Sequence, residues 1–422
     1  MRKRLELLAF ALLPVLAHAN PAPPEPGFGA WLETFRTTAV EKGISAATLD
    51  AALTGAQPVE RVVELDRRQP EFLQTFSDYL GRRLTPAQLA RGEAMLAEHA
   101  SLLDAVEAKT GVPKSVLVAF WGLETNYGRT LGSFNIPVAL ATLAWEGRRS
   151  SFFESQLIDA LRIVEAGHVA ALDMNGSWAG AMGHMQFMPS TFRAYAVDGD
   201  GDGRIDLWGS VADAMHSAGN YLKAAGWRSG EPVAREVRLP PNFDWRQARA
   251  AHRMALRNWD ALGVRPADDG PWPAVAGPAA IVLPQGWQGP AYMVFDNFDV
   301  VMRWNRSVNY ALAVAQLAQQ LAGGAALASG PGETGALTSA QVQAMQRQLN
   351  ELGFDAGAAD GLIGPRTQSA LRRFQAGQGL PADGYPAPSV LARVASVHAE
   401  AAGAGRLSLA PAAPAAFDPP QP

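Results

Sequence analysis

The stretch VLVAFWGLETNYGRT, residues 116–130, holds a single carboxylate, Glu124, within a run of large apolar residues. Pro113 precedes the run, where the first turn of a helix tolerates proline, and Gly128 follows, where helices commonly stop. Glu124 shares one helical face with three large apolar side chains, those of Leu117, Phe120 and Trp121. The stretch therefore predicts a buried helix that carries one acidic group into apolar surroundings.

Two interpretations of Glu124 are open on this stretch alone. It could be a structural acid that pairs with an arginine or caps a neighbouring helix. Alternatively, desolvation by Phe120 and Trp121 disfavours the ionised carboxylate and raises its pKa. A carboxyl group that keeps its proton near neutral pH can act as a general acid.

Composition divides the chain into pieces and excludes several classes of protein. At 422 residues and 48% hydrophobic, the chain is long enough for two or three globular domains. A net charge of −4, with arginines scattered along the chain, argues against nucleic acid as a binding partner. The expected pieces are a signal peptide (1–19), a large helical domain (28–322), a Gly/Ala/Ser/Pro-rich linker (323–336), a compact segment (337–397) and a disordered Ala/Pro-rich tail (398–422).

The first nineteen residues have the layout of a cleavable secretory signal. Basic residues 2–4 precede an apolar run that ends at Ala17-His18-Ala19. The run is too short to span a bilayer, so no membrane anchor is expected. The chain has no cysteine, which excludes disulfides, thiol catalysis, cysteine-bound metals and a lipidated N-terminal cysteine. We expect a soluble periplasmic protein, acting as a monomer.

The predicted fold class is mainly α with a small β part. Helical periodicity recurs in FFESQLIDALRIVEAG (152–167), VADAMHSAGNYLKAAGW (211–227) and NYALAVAQLAQQLAG (309–323). Short strands are suggested only in REVRLP (235–240), AAIVLP (279–284) and AYMVF (291–295). A small sheet is therefore expected on a mostly helical body.

A second stretch, NGSWAGAMGHMQFMPSTFRAY (175–195), combines glycines with polar side chains. Glycines allow the main chain to approach a ligand closely, and hydroxyl and amide groups hydrogen-bond a polar, uncharged substrate. Ser177, Met182 and Gln186 are its candidate binding residues.

The motifs GLETNYG and GAMGHMQFMPST together resemble the lytic transglycosylases of the membrane-bound lytic transglycosylase B family. The resemblance covers nearly all of residues 28–322. It includes four further motifs, which are RRQPEF, DGDGDGRIDLW, AGNYL and RWNRSVNYALAV. It implies a lysozyme-like fold and cleavage of peptidoglycan.

The resemblance also implies roles for individual residues. Glu124 would be the single catalytic acid/base, Ser177 would orient its carboxylate, and Gln186 would contact the sugar. The remaining residues implied to line the cleft and bind the glycan are Tyr79, Met182, Tyr221, Trp304, Asn305 and Tyr310.

The implied reaction is substrate-assisted cleavage between N-acetylmuramic acid and N-acetylglucosamine, which yields 1,6-anhydromuropeptides. Two-carboxylate glycosidases need a second acid, and Glu146 and Asp173 lie in none of the family's motifs. A muramidase that uses water, and a wall-binding protein without catalysis, are the alternatives. No cofactor is expected to be required.

The acidic stretch DGDGDGRIDLW (198–208) has the oxygen-ligand spacing of an EF-hand loop up to its ninth position. Gly209 stands at the twelfth position, where a glutamate is expected. Some members of the resembled family have a longer loop closed by a later aspartate, which implies Asp213 as the candidate closing ligand. An acidic surface turn is the alternative to a structural Ca²⁺ site. The candidate ligands are Asp198, Asp200, Asp202, Arg204, Asp206 and Asp213. His168, His184 and His216 lack zinc-ligand spacing and are expected to be surface or packing residues.

The segment 337–397 reads as a small three-helix unit. Its LGFDAGAADGLIGPRTQSALRRFQ and GLPADG runs resemble peptidoglycan-binding domain 1. The resemblance implies that it holds the enzyme on the cell wall and raises the effective concentration of substrate. Peptidoglycan glycan strands are the expected partner, and cell-wall synthases or regulators are protein partners that the sequence does not specify.

Overall fold

The computed structural model describes residues 27–67 and 72–405. The expected signal peptide, and the part of the tail after Gly405, lie outside the described residues. So do residues 68–71, which belong to the RRQPEF motif.

The described residues are mostly helical, as predicted. Their α-helices are α1 (Phe28–Glu41), α2 (Ala46–Leu53), α3 (Glu60–Arg67), α4 (Phe76–Arg83), α5 (Pro86–Glu98), α6 (Ala100–Thr110), α7 (Lys114–Thr125), α8 (Ile136–Glu146), α9 (Ser150–Glu165), α10 (Pro189–Tyr195), α11 (Val211–Ala224), α12 (Leu256–Ala261), α13 (Asp296–Trp304), α14 (Val308–Leu321), α15 (Ser339–Glu351), α16 (Pro365–Gly377) and α17 (Pro388–Gly403). The strands are β1 (Phe72–Leu73), β2 (Phe134–Asn135), β3 (Asn175–Gly176), β4 (Ala234–Arg238), β5 (Arg265–Pro266), β6 (Ala280–Val282), β7 (Ala291–Val294) and β8 (Leu337–Thr338).

The three predicted strands form one antiparallel sheet with an edge strand that was not predicted. The order is β5-β4-β7-β6, with Val237 opposite Ala291 and Ile281 opposite Met293. The added strand, β5, is two residues long and contains Pro266, which an edge strand tolerates. Its shortness explains why its sequence carries no strand pattern.

Helix α7 begins after Pro113, as the sequence predicts, but it ends before Gly128. Asn126 adopts a left-handed conformation with φ of 50°, and its N–H still bonds the Gly122 carbonyl. Tyr127 also has a positive φ, of 59°. The chain therefore turns two residues earlier than the glycine suggested.

Helix α7 runs through the centre of the largest hydrophobic core. Its apolar residues are almost completely buried, and Leu117, Val118 and Phe120 have no exposed surface. Helices α14 and α5 pack directly against it. Because the surrounding side chains are fixed by close packing, a side chain at the end of α7 has a well-defined position.

The C-terminal unit is a three-helix bundle with its own core, and it is joined closely to the main body. Its first helix, α15, has a capping box formed by Thr338 and Gln341. Helix α17 continues to Gly403, so the expected boundary at residue 397 is too early, because the alanine-rich sequence after it sustains a helix.

The linker 323–336 is irregular but held against the main body. The Glu236 carboxylate accepts hydrogen bonds from the main-chain N–H groups of Ala328 and Ser329, each at 2.8 Å. Strand β8, which follows the linker, pairs with β1 of the main body.

Candidate active site

Glu124 lies in the last turn of α7, and two aromatic side chains donate hydrogen bonds to the same carboxylate oxygen. Trp304 Nε1 donates to Glu124 Oε1 at 2.8 Å, and Tyr310 Oη donates to it at 2.5 Å. Trp304 ends α13 and Tyr310 lies in the first turn of α14. The fold thus brings two predicted site residues, Trp304 and Tyr310, to one carboxylate oxygen of a third, Glu124, which is distant from both in sequence.

The surroundings of Glu124 act on its pKa in two opposing ways. Desolvation by the buried end of α7 raises the pKa and is the larger effect. The hydrogen bonds from Tyr310 and Trp304, and the charge of Arg83, favour the ionised form and partly offset it. The pKa stays above its usual range, which favours a protonated carboxyl group that can still ionise.

Arg83 and Tyr79, both from α4, complete the surroundings of Glu124. The Arg83 guanidinium lies over the Tyr79 ring, 5.4 Å from its centroid, and donates to the Leu123 carbonyl at 3.0 Å. Tyr79 is half-buried, and burial raises the pKa of its hydroxyl. Tyr79 lies near enough for the charge of Glu124 to act on it, and its expected role in the cleft stays a prediction. Arg83 was not predicted, since its partners are distant in sequence.

An aromatic cluster surrounds Trp304. Its ring centroid lies 4.6 Å from that of Phe120, 5.3 Å from that of Phe187 and 5.0 Å from that of Tyr221. Tyr221 is 8% exposed, so it mainly packs on Trp304. Phe187 was missed as a site residue although it lies within the second motif.

The glycine-rich stretch lies where only small residues fit. A Cβ on Gly176 would come within 2.2 Å of the Ala181 carbonyl oxygen. Outside the stretch, a Cβ on Gly132 would come within 2.1 Å of the Gly176 carbonyl carbon and oxygen. Met182 is fully buried in this loop and forms an isolated bridge with Phe187. Met182 therefore supports the loop from within, and its expected role in binding the glycan stays a prediction.

Ser177 and Gln186 use their side chains to hold this loop. The Ser177 hydroxyl accepts a hydrogen bond from the Ala181 N–H at 2.9 Å. Gln186 has a φ of 50°, and its amide donates to the carbonyls of Leu131 and Gly183. The roles expected for Ser177 and Gln186 toward Glu124 and the sugar stay predictions. Asn305, directly after Trp304, is exposed.

His184 connects the loop to α7. Trp121 Nε1 donates to His184 Nδ1 at 2.9 Å, and the Thr125 hydroxyl donates to the His184 carbonyl at 2.9 Å. Burial lowers the pKa of His184, which keeps Nδ1 free to accept. Of the two roles expected for this histidine, packing is the one that the structure shows.

The acidic loop brings three of its carboxylates together. One oxygen from each of Asp198, Asp200 and Asp202 lies within 4.8 Å of the others. Asp198 also accepts the N–H groups of Gly201 and Gly203. Oxygen ligands at this spacing suit a hard cation such as Ca²⁺.

The other predicted ligands have different contacts. Asp206 is paired with the Arg204 guanidinium at 2.5 Å and accepts the Trp208 N–H. Asp213 is buried, and its carboxylate accepts the N–H groups of Gly199 and Asp206. The Asp213 side chain, from the first turn of α11, therefore holds the main chain of the loop near both of the loop's ends.

Comparison with known proteins gives two family matches. Residues 27–319 match the transglycosylase SLT domain, and residues 338–394 match a peptidoglycan-binding domain. The membrane-bound lytic murein transglycosylase B of Escherichia coli K12 is 34% identical over 250 residues, which are 58% of this chain and 66% of that protein.

Solved structures give two further similarities. SltB3 from Pseudomonas aeruginosa, in complex with NAG-anhNAM-pentapeptide, is 45% identical with a TM-score of 0.85, over 87% of this chain and 99% of that chain. The Escherichia coli lytic transglycosylase SLT35, in complex with calcium, is 31% identical with a TM-score of 0.60, over 69% of this chain and 92% of that chain.

Proposed function

The chain belongs to the SLT transglycosylase family, and on this premise we propose that it cleaves the β-1,4 bond between N-acetylmuramic acid and N-acetylglucosamine and releases 1,6-anhydromuropeptides. The observation that carries the proposal is the state of Glu124. Its carboxyl group is desolvated, which favours the proton, and two fixed donors are ready to stabilise the anion. A single group in this environment suits both halves of an acid/base cycle.

In the first step, Glu124 gives its proton to the bridging oxygen of the glycosidic bond. The acetamido oxygen of the muramoyl residue attacks its own anomeric carbon as the bond to the leaving sugar breaks. The negative charge left on Glu124 is stabilised by Tyr310 and Trp304.

In the second step, the Glu124 carboxylate takes the proton from the C6 hydroxyl of the same muramoyl residue. The C6 oxygen attacks the anomeric carbon and displaces the acetamido oxygen, so that the 1,6-anhydro ring closes. Glu124 is protonated again, and no water is consumed.

Substrate assistance is favoured because the described neighbours of Glu124 include no second carboxylate. Within residues 27–67 and 72–405, the groups that act on its charge are Tyr310, Trp304 and Arg83. Glu146 is occupied by an ion pair with Arg67. Inverting and retaining hydrolases ordinarily need a second acid near the first.

The glycan is proposed to bind around the same aromatic cluster. Trp304, Asn305 and Tyr79 have exposed or half-exposed side chains beside Glu124 or Trp304, whereas Tyr221 and Tyr310 support them from beneath. Sugar rings pack well on aromatic faces. Ser177 and Gln186 lie on the loop that faces this cluster through Phe187, and they are proposed to bind polar groups of the sugar.

The remaining parts are proposed to place the enzyme on its substrate. The C-terminal unit would bind the cell wall, and export through the N-terminal signal would place the protein in the periplasm. No helix in the described part of the chain is long and apolar enough to cross a membrane.

Asp198, Asp200 and Asp202 are proposed to hold a structural Ca²⁺, which would neutralise their mutual repulsion and take no part in the reaction.

The substitution Glu124→Gln tests the proposal. It removes the transferable proton with little change of shape, so turnover of purified sacculi should fall at least roughly 10²–10⁴-fold. Circular dichroism and glycan binding should change little. Glu93→Gln, at an exposed position of α5, is the matched control and should keep full activity. Turnover by Glu124→Gln at the control's rate would contradict the assignment.

A further inference from the structure

A cavity of about 540 Å³ lies between the main body and the C-terminal unit. The main body contributes residues from four segments, among them Thr75, Arg249 and Asn309, and the C-terminal unit contributes Arg372, Asp383 and Tyr385. The residues described above in the Glu124 site do not line this cavity. The lining comes near that site only at the chain segments that lead into α4 and α14. The cavity is therefore a separate space that exists only when the two units are docked.

The docking that closes this cavity is built from specific contacts. The buried Asp383 carboxylate of the C-terminal unit accepts the Trp287 N–H of the main body at 2.8 Å. It also accepts the Gln375 amide at 2.7 Å and the Tyr385 N–H at 2.9 Å. A Cβ on Gly286 would lie 3.0 Å from Asp383, so a small residue is needed where the two units meet. The Trp287 hydrogen bond thus joins the two units, while Gln375 and Tyr385 fix the Asp383 carboxylate from within the C-terminal unit.

Two arginines, one from each unit, line the cavity. The Nε atom of Arg372 is buried and has no hydrogen-bond partner among the described residues. Burial lowers the pKa of Arg372, Asp383 opposes this, and the like charge of Arg249 lowers it further. Arg372 lines the cavity wall, and a guanidinium group at such a wall can pair with the carboxylate of a ligand.

The cavity also lies next to the proposed catalytic site. Thr75 is the N-cap of α4, which carries Tyr79 and Arg83, and Ser307 is the N-cap of α14, which carries Tyr310. Both helices present their partly positive N-terminal ends to the cavity. Asn309, in the lining, is the residue directly before Tyr310.

We propose that this cavity binds a carboxylate of the stem peptide attached to the glycan strand, through Arg372 and Arg249. The proposal rests on the proposed function, since it assumes that a peptide-bearing glycan occupies the Glu124 site. The start of α14 lines the cavity and leads directly into Tyr310. Two guanidinium groups and two helix N-termini outweigh the single Asp383 carboxylate in the lining and favour an anion over a neutral sugar.

Binding of peptide alone tests the proposal without reference to cleavage. A synthetic pentapeptide with free carboxylates and the same peptide with every carboxylate converted to an amide are titrated calorimetrically into the full-length protein. The acid form should bind at least roughly tenfold more tightly, since a charge-assisted bond contributes about 1.5–3 kcal/mol and 1.4 kcal/mol is a factor of ten. Equal affinity for the two peptides would overturn the proposal.

Substitution of the two arginines tests whether the peptide binds in this cavity. Arg372→Gln and, separately, the exposed Arg249→Gln should each weaken binding of the acid peptide severalfold or more and leave the amide peptide unchanged. Arg347→Gln, at an exposed position of α15, is the matched control. Both test variants should raise KM for peptide-bearing glycan and not for peptide-free glycan. Equal effects on the two glycans would contradict the assignment. Lack of turnover by the unmodified protein would refute the proposed function, while the peptide titration would still decide this inference.

Discussion

At the scale of the residue, the chemistry depends on how Glu124 is held. Both donors bind Oε1, so Oε2 is the oxygen available to pass a proton to the substrate. Burial favours the protonated form needed first, and the two donors favour the anion needed next. Neither influence removes the other, which lets one carboxyl group alternate between acid and base.

The sequence predicted this residue more completely than its partners. The helical spacing around Glu124 indicated desolvation, and that prediction agrees with the raised pKa. Tyr310 and Trp304 were named only through the resemblance, because no local pattern links residues that meet across three helices. Arg83 was missed for the same reason.

Substitution of Arg83 should shift the pH dependence in a defined direction. The Arg83 charge lowers the pKa of Glu124, so Arg83→Gln should raise that pKa. Because the first step requires protonated Glu124, the rate falls as pH rises through this pKa. The alkaline limb of kcat/KM should therefore move to higher pH, measured on soluble glycan fragments.

The neighbouring exposed Arg82→Gln provides the control, and its profile should match that of the unmodified protein. A limb that moves to lower pH with Arg83→Gln, or that moves equally in both variants, would contradict the electrostatic account.

At the scale of the element, short connections determine where functional side chains lie. Trp121 and Thr125 of α7 are both bonded to His184, so the end of the helix and the glycine-rich loop are positioned together. A Cβ on Gly128 would come within 2.3 Å of the His184 ring, and Gly128 has a φ of +78°. Larger residues there would separate the loop from Glu124.

Periodicity predicted the long helices well and the short connections poorly. The predicted stretches correspond to α9, α11 and α14 to within a few residues, since each has a wide apolar face. Spacing named Asp206 as a loop ligand, and the longer loop of some relatives named Asp213. Their carboxylates accept main-chain N–H groups, which spacing does not reveal, and their role as ligands stays a prediction.

The acidic loop should respond to Ca²⁺. Three convergent carboxylates repel one another, and an ion bound only by the folded loop stabilises the folded state. Added Ca²⁺ should raise the Tm by on the order of a few degrees. Asp200→Ala with Asp202→Ala should abolish that shift, as measured by differential scanning calorimetry.

Asp104→Ala, which removes a surface acid paired with Lys114, is the control and should keep the Ca²⁺ response. A Tm that is insensitive to both Ca²⁺ and a chelator would leave the stretch as an ordinary acidic turn.

At the scale of the whole molecule, two units with separate cores are joined by more than a tether. The domain division was predicted from composition, which changes sharply at the glycine-rich linker. The docking was not predicted, because it depends on β1 pairing with β8 and on the Trp287–Asp383 contact between distant segments. The linker is also hydrogen-bonded to Glu236, a contact that its composition does not indicate.

Removal of the C-terminal unit should separate cleavage from wall binding. A chain that ends at Ala322 keeps Glu124, Trp304 and Tyr310, so it should cleave short soluble glycans that lack peptide at close to the full rate. It should sediment less with purified sacculi, since linked modules gain roughly 10²–10⁴-fold in avidity. Equal sedimentation of the two chains would argue against a wall-binding role.

The chemical identity of the product tests the central claim most directly. Purified sacculi are digested by the full-length protein in water enriched in heavy oxygen, and the released muropeptides are analysed by mass spectrometry. We predict 1,6-anhydromuropeptides without incorporated heavy oxygen, because the C6 hydroxyl closes the ring in place of water. Muropeptides with a reducing muramic acid that carries heavy oxygen would contradict the account and identify the protein as a hydrolytic muramidase.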